Sequence, residues 1–216
     1  MAWPVGFSAE HTLVYDRGMA EVSAFVLAGG RSSRMGTDKA FVDFQGRTLL
    51  DRALALVTVI TPKVYILGSR TVFGAFGSVV EDQFPDHGPL GGIHAALCSS
   101  TSELNLILAV DMPFVPESFL KYLVSEAEKR NVIATVPNAA GNLQPLCAVY
   151  RKAFADLAEP ALRGGHNKID ALFRGVSVRV IAEDELVKAG FAPELFRNLN
   201  TPEELRAAGD ALQAQD

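Results

Sequence analysis

Cysteine is nearly missing from this 216-residue chain: Cys98 and Cys147 are the whole supply, far apart in the sequence. That excludes a disulfide framework and a cysteine-built zinc site. The two read as small buried residues, suited to a reducing cytoplasm. Basic charge is not in excess either. Lys and Arg number 20 against 25 Asp and Glu, a formal net charge of −5, which argues against a nucleic-acid partner. No apolar run approaches the ~20 residues of a bilayer span, so no membrane partner is expected. The opening "MAWPVGFSAEHTLVYDRG" has no basic first segment and no unbroken apolar stretch, unlike a secretory signal. It also lacks any helical or strand period. Residues 1–18 read as a flexible appendage and 19–216 as one domain. Repeats, low-complexity segments and linkers are absent.

What the chain does have is an alternation of apolar, β-branched runs with helical patterns. "VSAFVLA" (22–28) is almost continuously apolar and stops at glycines, as a strand buried on both faces does. Residues 48–60 place Leu49, Leu50, Ala53, Leu54, Leu56 and Val57 at helical spacing. "KVYILGS" and "SVVED" read as strands, 92–100 as a helix and "LNLILAVD" as a buried strand. The stretch 116–130 reads as a helix with Pro116 at its first position. "VIATVP" and "LCAVYR" are further strands, the second followed by a helix from Lys152. "LRGGHNKIDALF" reads as a loop and short helix, "VSVRVI" as a strand, and 201–212 as a closing helix capped by Thr201. Such alternation implies an α/β fold: a single-domain, Rossmann-like, mostly parallel sheet sandwiched by helices.

In such sheets ligands sit beyond the carboxyl ends of the strands. "LAGGRSSRMGTDKA" (27–40) lies there. It is neither a dinucleotide fingerprint nor a Walker loop, yet it has the parts of a polyphosphate site. Gly29 and Gly30 permit positive φ and let amides approach an anion. Ser32, Ser33 and Thr37 add hydroxyls, and Arg31, Arg34 and Lys39 add positive charge. Asp82 and Asp111 each end a strand. Beside a basic loop, Asp111 suits magnesium, which needs only one or two carboxylates and takes its other oxygens from phosphate and water. His87, in "DHGPLGG", reads as exposed. Gln144 sits in a turn, Asn198 precedes the last helix, and "RGGHNK" (163–168) reads equally as a solvated loop or an anion clamp.

Taken in order, "LAGGRSSRMGTDKA", "VVEDQFPDHGPLGGIHAAL", "LAVDMPFV", "QPLCAVY" and "FRNLNTPEEL" resemble the signature of the molybdenum cofactor guanylyltransferases, a branch of the nucleotidyltransferases with the nucleotide-diphospho-sugar transferase fold. The resemblance spans most of residues 22–206. It implies a cytoplasmic enzyme that transfers GMP from GTP to molybdenum-loaded molybdopterin and releases pyrophosphate, with Mg2+ as cofactor. It implies that Leu27, Ala28, Gly29, Gly30 and Lys39 bind GTP, that Asp82 contacts the nucleotide, and that Asp111 does so together with the metal. Arg34, Lys39 and Asp111 become the catalytic set. Gly88, Pro89, Leu90, Gln144, Asn198 and Asn200 become acceptor contacts, and cofactor-biosynthesis or acceptor enzymes become partners. The rivals are a cytidylyl- or sugar-phosphate nucleotidyltransferase, or a silent GTP-binding delivery protein. In one place the chain departs from the pattern: some members carry a nucleotide-contacting asparagine after the second strand, where this chain has Leu67, Gly68 and Ser69.

Overall fold

The computed structural model describes residues 21–29, 39–199 and 204. In chain order the elements are β1 (Val22–Leu27), β2 (Asp43–Phe44), β3 (Arg47–Thr48), α1 (Leu49–Thr58), β4 (Val64–Leu67), α2 (Arg70–Phe73), β5 (Val79–Val80), α3 (Pro89–Ser99), β6 (Leu104–Ala109), α4 (Glu117–Glu128), β7 (Ala134–Ala139), β8 (Asn142–Leu143), β9 (Cys147–Arg151), α5 (Phe154–Arg163), α6 (Ile169–Leu172), β10 (Val178–Ile181) and α7 (Glu183–Lys188). Short 3-10 turns occupy Lys39–Phe41 and Pro193–Phe196. The main sheet has the order β10-β7-β9-β6-β1-β4-β5, with β8 paired to the end of β7. Its neighbours are parallel, except that β9 runs against both β6 and β7 and the short β8 runs against β7.

Both faces of the sheet are covered, as the apolar runs require. In β1, Ala24 and Val26 join the layer beneath α1 and α4, while Phe25 joins the layer beneath α3 and α5. All three are fully buried. α1 begins where the hydroxyl of Thr48 accepts the amide of Asp51 at 3.0 Å, and it buries Leu49, Leu50, Ala53 and Val57 on one stripe. α5 does the same with Phe154, Ala155, Ala158 and Leu162.

Several expectations need correction. α3 starts at Pro89 rather than residue 92, because Gly88 takes a φ of +65° just before it and Pro89 presets the first turn. Pro116 is the cap of α4, not its first residue. Cys147 is buried but Cys98 is exposed, beside exposed Ser99 in the last turn of α3. The β2–β3 hairpin, α2, β8 and α7 were not expected at all; each is six residues or shorter, too brief for a period to show. The appendage 1–18 and the helix expected over 201–212, save Glu204, lie outside the described residues. No helix among the described residues is long and apolar enough to cross a membrane.

One ion network ties the far edge together. The Arg179 guanidinium of β10 reaches Glu126 of α4 at 3.1 Å and Glu185 of α7 at 2.5 Å. Arg179, helped by the amide of Ala182, holds the Glu185 carboxyl at about 2. Glu126 is also held below the usual range, first by Lys129 and then by Arg179. Carboxyls depressed in the folded state contribute stability above their ordinary range and lose it as pH falls through the folded values. Because Glu185 is partly exposed and screened, and Glu126 keeps Lys129, Arg179→Met is expected to cost only about 1–2 kcal/mol at neutral pH. Melting curves between about pH 5 and pH 2 should also be flatter for the variant than for the parent. Parallel curves would assign the acid sensitivity to other groups.

Candidate active site

The carboxyl ends of β1, β4 and β5 and the start of α3 enclose a cleft of about 530 Å³, within the range of small-ligand sites. Leu27, Gly29, Asp82, Gly88 and Pro89 line it, so residues expected to serve nucleotide and acceptor share one wall. Its floor depends on glycine. The amides of Ala28 and Gly29 both donate to the Leu67 carbonyl, at 3.1 and 2.9 Å. A Cβ on Gly29 would lie 3.0 Å from the Gly68 Cα. This corrects the reading of Gly29: its amide is already committed, and glycine is needed there for the close approach of two chain segments. Gly68 is under the same constraint, since a Cβ would come within 2.7 Å of the Phe73 ring. A side chain such as asparagine does not fit there. Ser69, next along, is exposed on the cleft and its side chain does not cap α2.

Asp82 enters the cleft two residues beyond β5. Its Oδ1 accepts the Phe84 amide at 2.7 Å. A Cβ on Gly91 would collide with its Oδ2, so the carboxylate lies directly on the first turn of α3. Burial there pushes its pKa up, and the Phe84 amide, His87 and His94 pull it partly back. Phe84 braces this loop. It packs edge-on against His94 at 5.2 Å, with the Arg163 guanidinium 5.8 Å from its ring centre. Glu81, a cleft residue that the sequence reading passed over, accepts the Arg70 amide at 2.9 Å and ties the start of α2 to the end of β5. The adjacent acids in "VVED" were the available signal.

The second feature is an ion pair. Lys39 Nζ lies 2.7 Å from Asp111 Oδ2, joining residues 72 apart in sequence. Both side chains are largely buried, at 13% and 22% exposure. Backbone bonds fix Asp111 from both sides: the Val110 amide donates to Leu27, and the Asp111 carbonyl accepts the Leu199 amide, each at 3.1 Å. That second bond brings exposed Asn198 beside the site. Among the described residues no group of three or more His, Cys, Asp or Glu could hold a metal. Among the described residues the donor at the end of β6 is the single carboxylate of Asp111, which fits an ion that takes most of its oxygens from substrate and water.

The remaining expected residues divide. Ala28 is buried behind Gly29. Leu90 is a correction: its side chain is fully buried in the layer beneath α3 and makes no cleft surface. Gln144 lies in the turn between β8 and β9, its Nε2 donating to the Asn142 carbonyl at 3.3 Å. Because β9 descends, α5 climbs back, and "RGGHNK" arrives at the carboxyl side near Phe84. Gly30, Arg34 and Asn200 lie outside the described residues.

The contact between α3 and Asp82 generates a prediction. Alanine suits a helix better than glycine by about 1 kcal/mol, so Gly91→Ala should melt close to the parent. Its methyl must displace the Asp82 carboxylate. Nucleotide affinity by calorimetry is expected to fall roughly tenfold; an unchanged affinity would remove Asp82 from the ligand contacts.

Comparison with known proteins agrees with this fold. The family model described as the MobA-like NTP transferase domain matches residues 24–184. A probable molybdenum cofactor guanylyltransferase from Pelotomaculum thermopropionicum is 34% identical over 87% of this chain and 91% of its own length. A molybdenum cofactor guanylyltransferase from Desulfosudis oleivorans is 34% identical over 91% of this chain and 98% of its own. The crystal structure of molybdopterin-guanine dinucleotide biosynthesis protein A from Archaeoglobus fulgidus superposes with a TM-score of 0.76 at 27% identity, covering 89% of this chain and 99% of that one. The 4-diphosphocytidyl-2C-methyl-D-erythritol synthase of Anaerococcus prevotii, at 15% identity and a TM-score of 0.66, shares the fold alone. With three quarters of its length inside the family model and relatives at this level of identity, the chain belongs to the MobA-like NTP transferase family.

Proposed function

We propose that the protein transfers GMP from GTP to molybdopterin carrying molybdenum, forming the guanine dinucleotide and releasing pyrophosphate. The observation that carries this reading is the Lys39–Asp111 pair, held at the carboxyl ends of β1 and β6 beside the cleft, in a chain whose close relatives are named for that activity.

The acceptor brings its own nucleophile, a phosphate monoester whose second ionisation lies near 6. Its oxygen bonds to the α-phosphorus of GTP as the bond to the β-phosphate oxygen breaks, and pyrophosphate departs with the electron pair. No deprotonated serine or cysteine is required. The protein's work is to bring two anions into line and to neutralise their charge. Lys39, with Arg34 earlier in the sequence, stabilises the departing pyrophosphate. Asp111 would hold Mg2+ against the α-phosphate, and that ion supplies Lewis-acid neutralisation of the phosphate oxygens when bound. The base lies in the 530 Å³ cleft. Guanine offers donors at N1 and N2, and the Asp82 carboxylate and neighbouring carbonyls supply acceptors. Cytosine lacks that paired edge.

The direct experiment incubates the protein with magnesium, molybdenum-loaded molybdopterin and each NTP in turn, and measures pyrophosphate. Release is expected with GTP; equal release with CTP would overturn the guanylyl assignment. Asp111→Asn, nearly isosteric, should fold normally and lose roughly 100-fold or more in single-turnover rate. Because Lys39 is its direct partner, the loss in the Lys39→Ala, Asp111→Asn double variant should fall well short of the product of the single losses. A well-folded Asp111→Asn protein with a near-normal rate would remove Asp111 from the mechanism.

A further inference from the structure

Seven buried side-chain atoms among the described residues lack a hydrogen-bond partner. Five are remote from the carboxyl ends of the strands, and a sixth, on His94, faces the helices beside the Asp82 loop already described. Asn105 and Thr135 stand at the starts of β6 and β7, Arg151 at the end of the descending β9, and Glu128 at the end of α4. Arg179 belongs to the ion network of α4 and α7. His94 lies within α3, its other ring nitrogen 3.4 Å from the Cys98 sulfur. The seventh, Oδ1 of Asn138, is at the carboxyl end of β7.

Its orientation follows from the strand period. Ala134 and Val136 belong to the apolar layer beneath α3 and α5, and side chains two apart share a face. Asn138 therefore faces the same layer, as does its cross-strand partner Leu143. Leu27 and Leu67, which border the nucleotide cleft, belong to that layer as well. Only β9 separates β7 from β6, so Asn138 stands two strand spacings, about 10 Å, from the strand that leads to Asp111. Gln144 is adjacent, its amide donating to the Pro137 carbonyl at 2.8 Å.

A buried amide oxygen with no partner destabilises the free protein, and such groups in folded proteins call for an explanation. We propose that Asn138 is a specificity-determining residue that hydrogen-bonds the pterin ring system of the acceptor. The inference rests on the GMP-transfer reading. A pterin presents a lactam N–H and C=O and an exocyclic amine, and a carboxamide offers one donor group and one acceptor to match. Asn138 is only half-buried, so rotation of its amide brings the oxygen to the open side without breaking a bond. With the acceptor phosphate at Asp111, the ring system extends along the carboxyl ends toward β7, and Asn138 lies in its path.

The test is Asn138→Leu, similar in size and without the stranded oxygen. Its melting temperature is expected to equal or exceed the parent's. The KM for molybdenum-loaded molybdopterin should rise roughly tenfold, the factor carried by one good hydrogen bond, with kcat and the KM for GTP within about twofold, as for lost uniform binding. Binding of metal-free molybdopterin, followed by calorimetry without GTP, should weaken by the same factor. An unchanged acceptor KM would overturn the inference, and so would a lowered melting temperature with both KM values raised together, which marks a structural role. If the parent protein binds GTP but forms no pyrophosphate with the acceptor, the transfer reading itself fails, and the role of Asn138 fails with it.

Discussion

Everything at the site depends on how the backbone of β1 continues past its own end. β1 is parallel to β4 on one side and to β6 on the other. Its register does not stop at Leu27. The amides of Ala28 and Gly29 go on to the Leu67 carbonyl, and the Leu27 carbonyl takes the Val110 amide. Three chain segments are thereby fixed to one another just where they leave the sheet. That costs side-chain volume, so Gly29 and Gly68 face each other without a Cβ between them. What it secures is a rigid floor, and rigid placement of polar groups gives such sites their electrostatic strength.

Two kinds of carboxylate stand on that floor. Asp111 is neutralised by a lysine at 2.7 Å and anchored through its backbone. Asp82 has a backbone amide and the start of a helix for neighbours, and burial raises its pKa. The first is balanced within an ion pair, the second held by a backbone amide against the start of a helix. Phe84 holds the Asp82 loop to both α3 and α5, so two helices well separated in sequence share in setting that carboxylate.

Much of this was legible in the sequence. Buried strands announce themselves as apolar runs, and residues directly after them had to arrive at the sheet's end. Leu27, Gly29 and Asp82 could therefore be placed before any coordinates. Strand direction was not legible: β9 has the same apolar character whether it runs up or down, since burial on both faces is indifferent to polarity. The partnership of Lys39 with Asp111 was not legible either, because contacts between residues 72 apart leave no local pattern. Leu90 was misjudged for a related reason. In "GPLGG" the small neighbours suggested an open loop, whereas α3 has already begun and turns that leucine into the core. Asn138 was invisible because a lone polar residue near the end of a strand looks like the turn that follows it.

The reversal of β9 has a consequence for how such an enzyme can diverge. An antiparallel strand separates β1, β4, β5 and β6, which carry the cleft and Asp111, from β7 and β10. The two groups are joined through the two ladders of β9 and through shared apolar layers. Substitutions in the β7–β8 turn can therefore accumulate without moving Gly29, Gly68 or Asp111, whereas one at Arg163 reaches the Asp82 loop through Phe84. The fold is in effect a fixed handle, carrying the cleft and Asp111, joined to an edge that can be refitted.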